Sequence, residues 1–162
     1  MPEMENKIQF LVVHCSDTTP SFKVTKGVLM KWHMIQRGWD RLGYSDLIHR
    51  DGKIENLTPY DDDDIVQKHE VTWGAAGINY CSRHVCLEGG RTRNNEGGTF
   101  MFEHIFTDAQ FISLVSYTKQ FLKDNPLARV TGHNMFSDIK TCPNFPVMEL
   151  MTLAGIPDVN IY

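Results

Sequence analysis

Apolar and polar positions in the first part of the chain follow two different periods. Residues 7–13, KIQFLVV, form a short β-rich apolar run, which predicts a buried strand ending at His14. Residues 25–37 instead place their apolar side chains at helical spacing, and Gly38 follows as a stop signal. The chain therefore opens with a strand, a turn-rich loop and an amphipathic helix.

The next segments predict a hairpin and a long loop. Residues 44–49 and 53–57 are β-rich and flank Asp51-Gly52, a dipeptide that favours the tight turn of a hairpin. Residues 58–80 lack a regular period, which is typical of an irregular loop. The acidic run within it, residues 61–64, lacks the spacing of a calcium-binding loop and is interpreted as a solvated surface.

The second half of the chain again mixes strands and helices. It predicts a strand at residues 84–87 and a mobile polar loop at residues 91–100. A helix follows at residues 108–123, capped by Thr107 or Asp108, then a strand at residues 127–131 and a terminal helix at residues 145–154. This order predicts an α/β fold with a central mixed β-sheet flanked by helices. Without a repeat or a linker, residues 1–162 are expected to form a single domain.

Composition narrows the classes of partner. The 162 residues are 41% hydrophobic and 22% charged, as in ordinary globular proteins, and carry a net charge of −4. The basic residues are scattered and outnumbered, which argues against a nucleic-acid partner, because phosphate neutralisation dominates such binding. No apolar run approaches the roughly 20 residues of a membrane span. We therefore expect neither nucleic acid nor an integral membrane segment.

The chain start and the cysteines bear on the cellular compartment. The opening MPEMENK is acidic and lacks the basic and apolar regions of a secretory signal, so we expect a protein that is cytoplasmic when synthesised. None of the cysteines, Cys15, Cys81, Cys86 and Cys142, forms a CxxC pair. In a reducing compartment they are interpreted as buried thiols or metal ligands, although a disulfide stays open.

Three side chains have the types and positions of zinc ligands. His14 and His133 each follow an apolar strand, at a point where a side chain can project into a cleft, and Cys142 follows nine residues after His133. Two imidazoles and a thiolate leave one tetrahedral position open, which catalytic zinc sites require. Lys140 is a candidate for stabilising an oxyanion, and Tyr44 is a candidate proton donor or hydrogen-bonding group. Taken singly, each of these residues is more often a packing or surface residue.

Ordered motifs give the chain a resemblance to a known family. VVHCSDT, then Gly-Tyr before a strand, the RDG turn, LEGG, and GH followed by KTCPNF occur in this order over roughly residues 8–155. In this the chain resembles the type 2 N-acetylmuramoyl-L-alanine amidases, the phage-lysozyme-like enzymes related to the peptidoglycan recognition proteins. The segments around His14 and Cys142 are the specific part of the match.

The resemblance implies an activity and its residues. It implies one zinc ion per chain, held by His14, His133 and Cys142, with Tyr44 and Lys140 serving the reaction. The reaction would be hydrolysis of the amide bond between N-acetylmuramic acid and L-alanine of peptidoglycan. A phage or prophage endolysin would act on the cell wall after release; the other expectation is a cytoplasmic enzyme that acts on muropeptides.

The chain departs from the family pattern in three places. Ser45 and Asp46 follow the Gly-Tyr pair, where a bulky and then an apolar residue are common. Gly74 stands where a loop histidine is common, a role that the nearby His69 would have to take over. The usual Asn-Ser-Ile-Gly before the LEGG strand reads Cys-Ser-Arg-His at residues 81–84. These positions are expected to lie where substrate is gripped.

Those departures motivate an alternative from another class. A peptidoglycan-binding module would keep its zinc and catalyse weakly or not at all. A regulatory protein partner is a third hypothesis, by analogy with phage amidases that also inhibit an RNA polymerase, but no residue of the sequence indicates one. A zinc nucleobase deaminase is set aside, because its HxE and PCxxC signatures are missing.

Overall fold

Five β-strands form one mixed sheet in the part of the chain that the computed structural model describes, residues 6–96 and 105–162. The strands are Phe10–Cys15 (β1), Asp46–Ile48 (β2), Ile54–Asn56 (β3), Ser82–Leu87 (β4) and Arg129–Gly132 (β5). Their spatial order is β3-β2-β4-β1-β5, with β3 antiparallel to β2 and the other pairs parallel. The predicted α/β fold with a mixed sheet is confirmed.

Helices lie on both sides of this sheet. Lys26–Met30 (α1) continues as a π-helical segment over Lys31–Gln36, and the longer helices are Asp108–Asp124 (α2) and Val147–Leu153 (α3). Short 3₁₀ turns occupy Asn79–Cys81, His133–Phe136 and Asp158–Asn160. None of the described helices has the length and apolar character needed to cross a membrane.

Alternation along the strands divides the core into two clusters. Odd-numbered positions of β1, such as Leu11 and Val13, pack with buried residues of α2 and α3, among them Leu114 and Met151. On the other face, Leu47 and Cys86 pack with Leu29 of α1 and its neighbours. Because successive side chains of a strand point to opposite faces, His14 lies on the face opposite to Val13, away from α2 and α3.

Helix α2 is fixed at its start by a capping box. The Thr107 hydroxyl accepts the Gln110 backbone N–H at 3.1 Å, and the Gln110 side chain accepts the Thr107 backbone N–H at 3.0 Å. The amide of Gln110 also donates to the carbonyls of Ile48 and Glu88, which ties the helix to the ends of two strands. Of the two predicted caps, Thr107 is therefore the one that the structure uses.

The observed boundaries differ from the predicted ones by a few residues. The first strand includes His14 and ends at Cys15, because the pairing with β4 continues to Cys15 opposite Leu87. The last strand ends at Gly132 rather than Thr131. The terminal helix begins only at Val147, after Pro146 at its N-cap. Of the polar loop predicted at residues 91–100, the last four lie outside the described residues.

Candidate metal centre and active site

The first candidate ligand is held by the centre of the sheet. His14 is 1% exposed and lies near the carboxyl end of β1, between β4 and β5. Its ring lies 4.7 Å from the His133 ring and 5.1 Å from the Tyr44 ring, measured between centroids. His133 begins the turn that follows β5, the neighbouring parallel strand. Since parallel strands end at the same edge of a sheet, two histidines far apart in sequence meet there.

A loop before α3 brings Cys142 to the same edge. The Cys142 carbonyl accepts the backbone N–H of Asn134 at 2.9 Å, which fixes the loop to the turn that carries His133. The side chain of Asn144 donates to the Gly90 carbonyl at 2.9 Å and accepts from Thr141 at 2.8 Å. A glycine is needed at position 90, because a Cβ there would lie 2.7 Å from the Cys15 sulfur.

The three candidate ligands fit a zinc ion. One side-chain ligand atom from each of His14, His133 and Cys142 lies within 4.8 Å of the others. The 3.9 Å between His14 Nδ1 and Cys142 Sγ is shorter than the roughly 4.4 Å combined length of a Zn–N and a Zn–S bond. Imidazole and thiolate are donors that zinc prefers. The described residues therefore offer a His-His-Cys group that could hold such an ion.

Local hydrogen bonds favour the thiolate form of Cys142. A hydrogen bond from the side chain of Cys15, and then one from His133, hold the pKa of Cys142 well below its usual value, although burial opposes them. The backbone N–H of Cys15 also donates to the Cys142 sulfur at 3.2 Å. A side-chain hydrogen bond with Cys142, and then burial, raise the pKa of Cys15 well above its usual value, so the Cys15 thiol stays a neutral donor. None of the four cysteines forms a disulfide.

A second buried histidine lies behind the first. Nε2 of His14 is 2.8 Å from Nδ1 of His84, a residue of β4 with no exposed surface. The other ring nitrogen of His84 donates to the side-chain oxygen of Asn79 at 2.9 Å. Burial lowers the pKa of both histidines, and their mutual proximity lowers that of His84 further. Both rings are therefore neutral at neutral pH.

Gly74 leaves the space that His84 fills. A Cβ at position 74 would overlap Nδ1 and Cγ of the His84 ring and would lie 2.8 Å from the Gly43 carbonyl oxygen. The departure from the family pattern at position 74 is thus coupled to the one at position 84. His69, the alternative considered from the sequence, is exposed and does not line the cavity at the metal centre.

A cavity of about 410 Å³ opens over the three ligands. Tyr44, Lys140, Trp39 and Trp73 are among the residues that line it. Tyr44 is half-buried, and burial raises its pKa well above the usual value, so the phenol stays protonated. Lys140 is exposed at the edge of the cavity. The structure thus brings both predicted catalytic side chains to the cavity that the candidate ligands line.

Ser45 and Asp46 are buried away from this cavity. Asp46 accepts hydrogen bonds from the hydroxyls of Tyr60 and Tyr117 and from the Asn56 amide at 3.0 Å. Neither Ser45 nor Asp46 lines the cavity at the metal centre. The expectation that the departures lie where substrate is gripped is wrong for residues 45, 46 and 81–84, which are buried and do not line this cavity. The alternation of β2 directs Asp46 towards α2.

His33 lies on the buried side of its helical segment. Its side chain is buried, lines the cavity and accepts the Gly43 backbone N–H at 3.1 Å. Burial first, and then electrostatic interactions with Arg37 and His14, lower its pKa from 6.5 to about 4. The sequence did not single out His33, His84 or Asn79 as site residues. The one available signal was the pairing of an unexpected glycine at 74 with an unexpected histidine at 84.

Comparison with known sequences places residues 4–145 within the model of the N-acetylmuramoyl-L-alanine amidase family. The chain is 34% identical over 135 residues to the endolysin of Escherichia phage T7, covering 83% of this chain and 80% of that protein. It is 33% identical over 137 residues to the endolysin of Enterobacteria phage T3, with the same coverage.

Solved structures with the same fold include bacterial, phage and insect proteins. The N-acetylmuramoyl-L-alanine amidase LysC from Clostridium intestinale superposes with a TM-score of 0.67 at 24% identity, covering 97% of this chain and 92% of that one. Drosophila PGRP-LB gives a TM-score of 0.64 at 17% identity, covering 94% and 86%. At these identities the likeness concerns the fold, and it agrees with the resemblance found in the sequence motifs.

Proposed function

Because the chain belongs to the N-acetylmuramoyl-L-alanine amidase family, we propose that it hydrolyses the amide bond between N-acetylmuramic acid and L-alanine in peptidoglycan. The observation that carries the proposal is the convergence of His14, His133 and Cys142 at a cavity. Water adds its oxygen to the lactyl carbonyl, the C–N bond breaks, and the amine leaves with a proton. The products are a lactyl carboxylate and a free L-alanine amino terminus.

His14, His133 and Cys142 would hold one zinc ion in the active enzyme. When bound, zinc supplies a Lewis acid that polarises a carbonyl and lowers the pKa of water from 15.7 towards about 7. Burial lowers the pKa of His14, and hydrogen bonds to its sulfur lower the pKa of Cys142, so these two side chains are in the deprotonated forms that a metal requires.

Lys140 and Tyr44 would stabilise the negative charge that develops on the carbonyl oxygen in the transition state. Lys140 lies two residues before Cys142 at the edge of the cavity, so its ammonium group can approach the carbonyl oxygen as negative charge develops there. Tyr44 keeps its proton because burial raises its pKa, so it acts as a hydrogen-bond donor and not as a general base. Trp39 and Trp73 offer aromatic faces for sugar or peptide at the same cavity.

The endolysin names of the phage relatives support action on the cell wall after release from the cell in which the protein is made. Action on muropeptides in the cytoplasm is the other setting for the same chemistry.

The decisive experiment is digestion of purified peptidoglycan by the zinc-loaded chain, followed by mass spectrometry of the products. We expect new free L-alanine amino termini, and we expect His133→Ala and Cys142→Ala to lose both bound zinc and activity. Tight binding without new amino termini would instead identify a peptidoglycan-binding module. Stoichiometric zinc in both variants would refute the ligand assignment.

Lys140→Ala tests the oxyanion role separately from metal binding. Zinc content should stay at that of the wild type, while turnover falls on the order of 10²–10³-fold, as for other oxyanion donors. Lys119→Ala is the matched control, since Lys119 is an exposed lysine of α2 that does not line the cavity. Unchanged turnover in Lys140→Ala would remove this residue from the mechanism.

A further inference from the structure

We infer that Asn79 and His84 form a hydrogen-bonded relay that fixes the tautomer of His14, so that Nδ1 of His14 faces the candidate metal site without a proton. The inference rests on the proposed metal site and adds two positioning residues to it. It concerns two residues that the sequence motifs do not assign to the metal site.

The relay starts from a backbone group whose hydrogen cannot be moved. The backbone N–H of Ala75 donates to the side-chain oxygen of Asn79 at 2.9 Å. This contact requires oxygen, not the amide nitrogen, at that position of the Asn79 side chain. The orientation of the Asn79 amide is therefore set by the main chain of the 74–79 loop.

The oxygen of Asn79 then sets the tautomer of His84. Nε2 of His84 lies 2.9 Å from this oxygen, which can only accept, so Nε2 carries the hydrogen. The ring has no exposed surface, and its two ring nitrogens contact His14 and Asn79 rather than a carboxylate, an environment that favours the neutral form. A neutral imidazole with its hydrogen on Nε2 has a lone pair on Nδ1.

That lone pair in turn sets the tautomer of His14. Nδ1 of His84 is 2.8 Å from Nε2 of His14, so Nε2 of His14 must donate the hydrogen. Nδ1 of His14 is then unprotonated, and this is the atom that lies 3.9 Å from Cys142 Sγ. Partners of this kind orient metal-binding histidines and commonly change metal affinity by about 10–100-fold when removed.

The shape of the site supports a dedicated position for His84. Its ring occupies the space next to Gly74, where any other residue would place a Cβ into the ring. Strand β4 delivers the ring to the same face of the sheet as His14, because Val12 is paired with His84 and side chains two residues apart share a face. The relay is thus built from a loop, a strand and the glycine that lets them approach.

The first test measures tautomers in the metal-free full-length chain. Two-bond ¹H–¹⁵N correlation spectra should show His14 and His84 both protonated on Nε2 and unprotonated on Nδ1. A His14 ring protonated on Nδ1 in the wild type would overturn the inference. This measurement needs no zinc, so it stands or falls independently of the proposed activity.

The second test compares two replacements of His84. His84→Leu fills a similar volume without a hydrogen-bonding atom, and it should weaken zinc affinity by about 10–100-fold, measured by competition with a chelator. His84→Asn keeps an acceptor for His14 and should bind zinc within a few-fold of the wild type. Equal affinity of the Leu variant and the wild type, or an equal loss in both variants, would contradict the relay.

A third variant covers the case in which the Leu replacement does not fold. Asn79→Ala removes the acceptor that orients His84, so the spectra of His84 and His14 should show mixed tautomers and zinc affinity should fall. Unchanged tautomers in this variant would exclude the relay. If the wild type binds no zinc, or His133→Ala still binds it, the ligand assignment fails instead, while the tautomer measurement remains valid.

Discussion

His33 is buried against the rings of Trp39 and Tyr44 at one wall of the cavity, on the same side of the sheet as His14. Its ring nitrogen accepts the Gly43 backbone N–H, which needs an unprotonated Nδ1. The folded protein therefore disfavours the charged form of this side chain, and the pKa falls to about 4. A single buried imidazole thus makes folding sensitive to mild acid.

His33→Asn should reduce that sensitivity. Between pH 6.5 and 4 the unfolded chain takes up a proton at His33 that the folded chain does not, so the free energy of unfolding falls as the pH drops. The asparagine side chain of the variant does not titrate, and its amide oxygen can accept the Gly43 N–H. The free energy of unfolding, measured with urea, should fall between pH 7 and pH 4.5 by less in the variant than in the wild type, the two falls differing by up to roughly 2.5 kcal/mol. An equal fall in the free energy of unfolding in both proteins would exclude His33 as a cause of the acid sensitivity. Some sensitivity should remain in the variant, because burial also lowers the pKa of His14 and His84.

At the scale of single residues, the sequence identified the candidate metal ligands at the cavity, but it did not identify the buried side chain that holds one of them in place. His14, His133 and Cys142 stand out because their chemical types, their positions after strands and the surrounding motifs agree. His84 carried no such signal, because every residue of β4 is buried and the strand shows no alternation. A buried polar residue in such a strand is explained only by its partner, here His14.

At the scale of secondary structure elements, the capping box of α2 stabilises both the helix and its attachment to the sheet. Thr107→Ala should lower the free energy of unfolding by about 1 kcal/mol, as for other lost N-caps. Thr107 also donates to the Arg50 carbonyl, so the loss should not be smaller than for an isolated cap. Thr107→Ser keeps the hydroxyl and is the control. Urea unfolding of the two variants checks this, and equal stability of Thr107→Ala and the wild type would refute the role of the cap.

The contact between the 74–79 loop and β4 should appear as coupling between two substitutions. Gly74→Ala inserts a methyl group into the His84 ring and should cost about 1–3 kcal/mol of stability. In a His84→Ala background the two nearest clashes are absent, so the same substitution should cost less, with a coupling energy of about 0.5–3 kcal/mol. Gly27→Ala is the control, since a Cβ there meets only the Thr25 hydroxyl at 3.7 Å. Additive costs would contradict the steric link.

At the scale of the whole molecule, the candidate ligands join segments that are distant in the chain. His14 and Cys142 are 128 positions apart, and the three ligands come from β1, the turn after β5 and the loop before α3. A zinc ion that binds only the folded chain should therefore stabilise it, by about 2.7 kcal/mol at 100 times the dissociation constant. Thermal unfolding with and without zinc should show a rise in Tm for the wild type and none for His133→Ala. Mg²⁺, which prefers oxygen ligands, is the control and should have no effect. An equal rise for His133→Ala would place the metal elsewhere.

The sequence by itself determined the order of strands and helices, because local periodicity and capping residues act over a few positions, and it identified the family from the segments around His14 and Cys142. Only the tertiary structure decided which buried side chains meet. Asp46 lies with Tyr60 and Tyr117 instead of with substrate, and His84 lies behind His14 in the space left by Gly74. These outcomes depend on strand order, register and close packing between segments tens of residues apart, which no local pattern encodes.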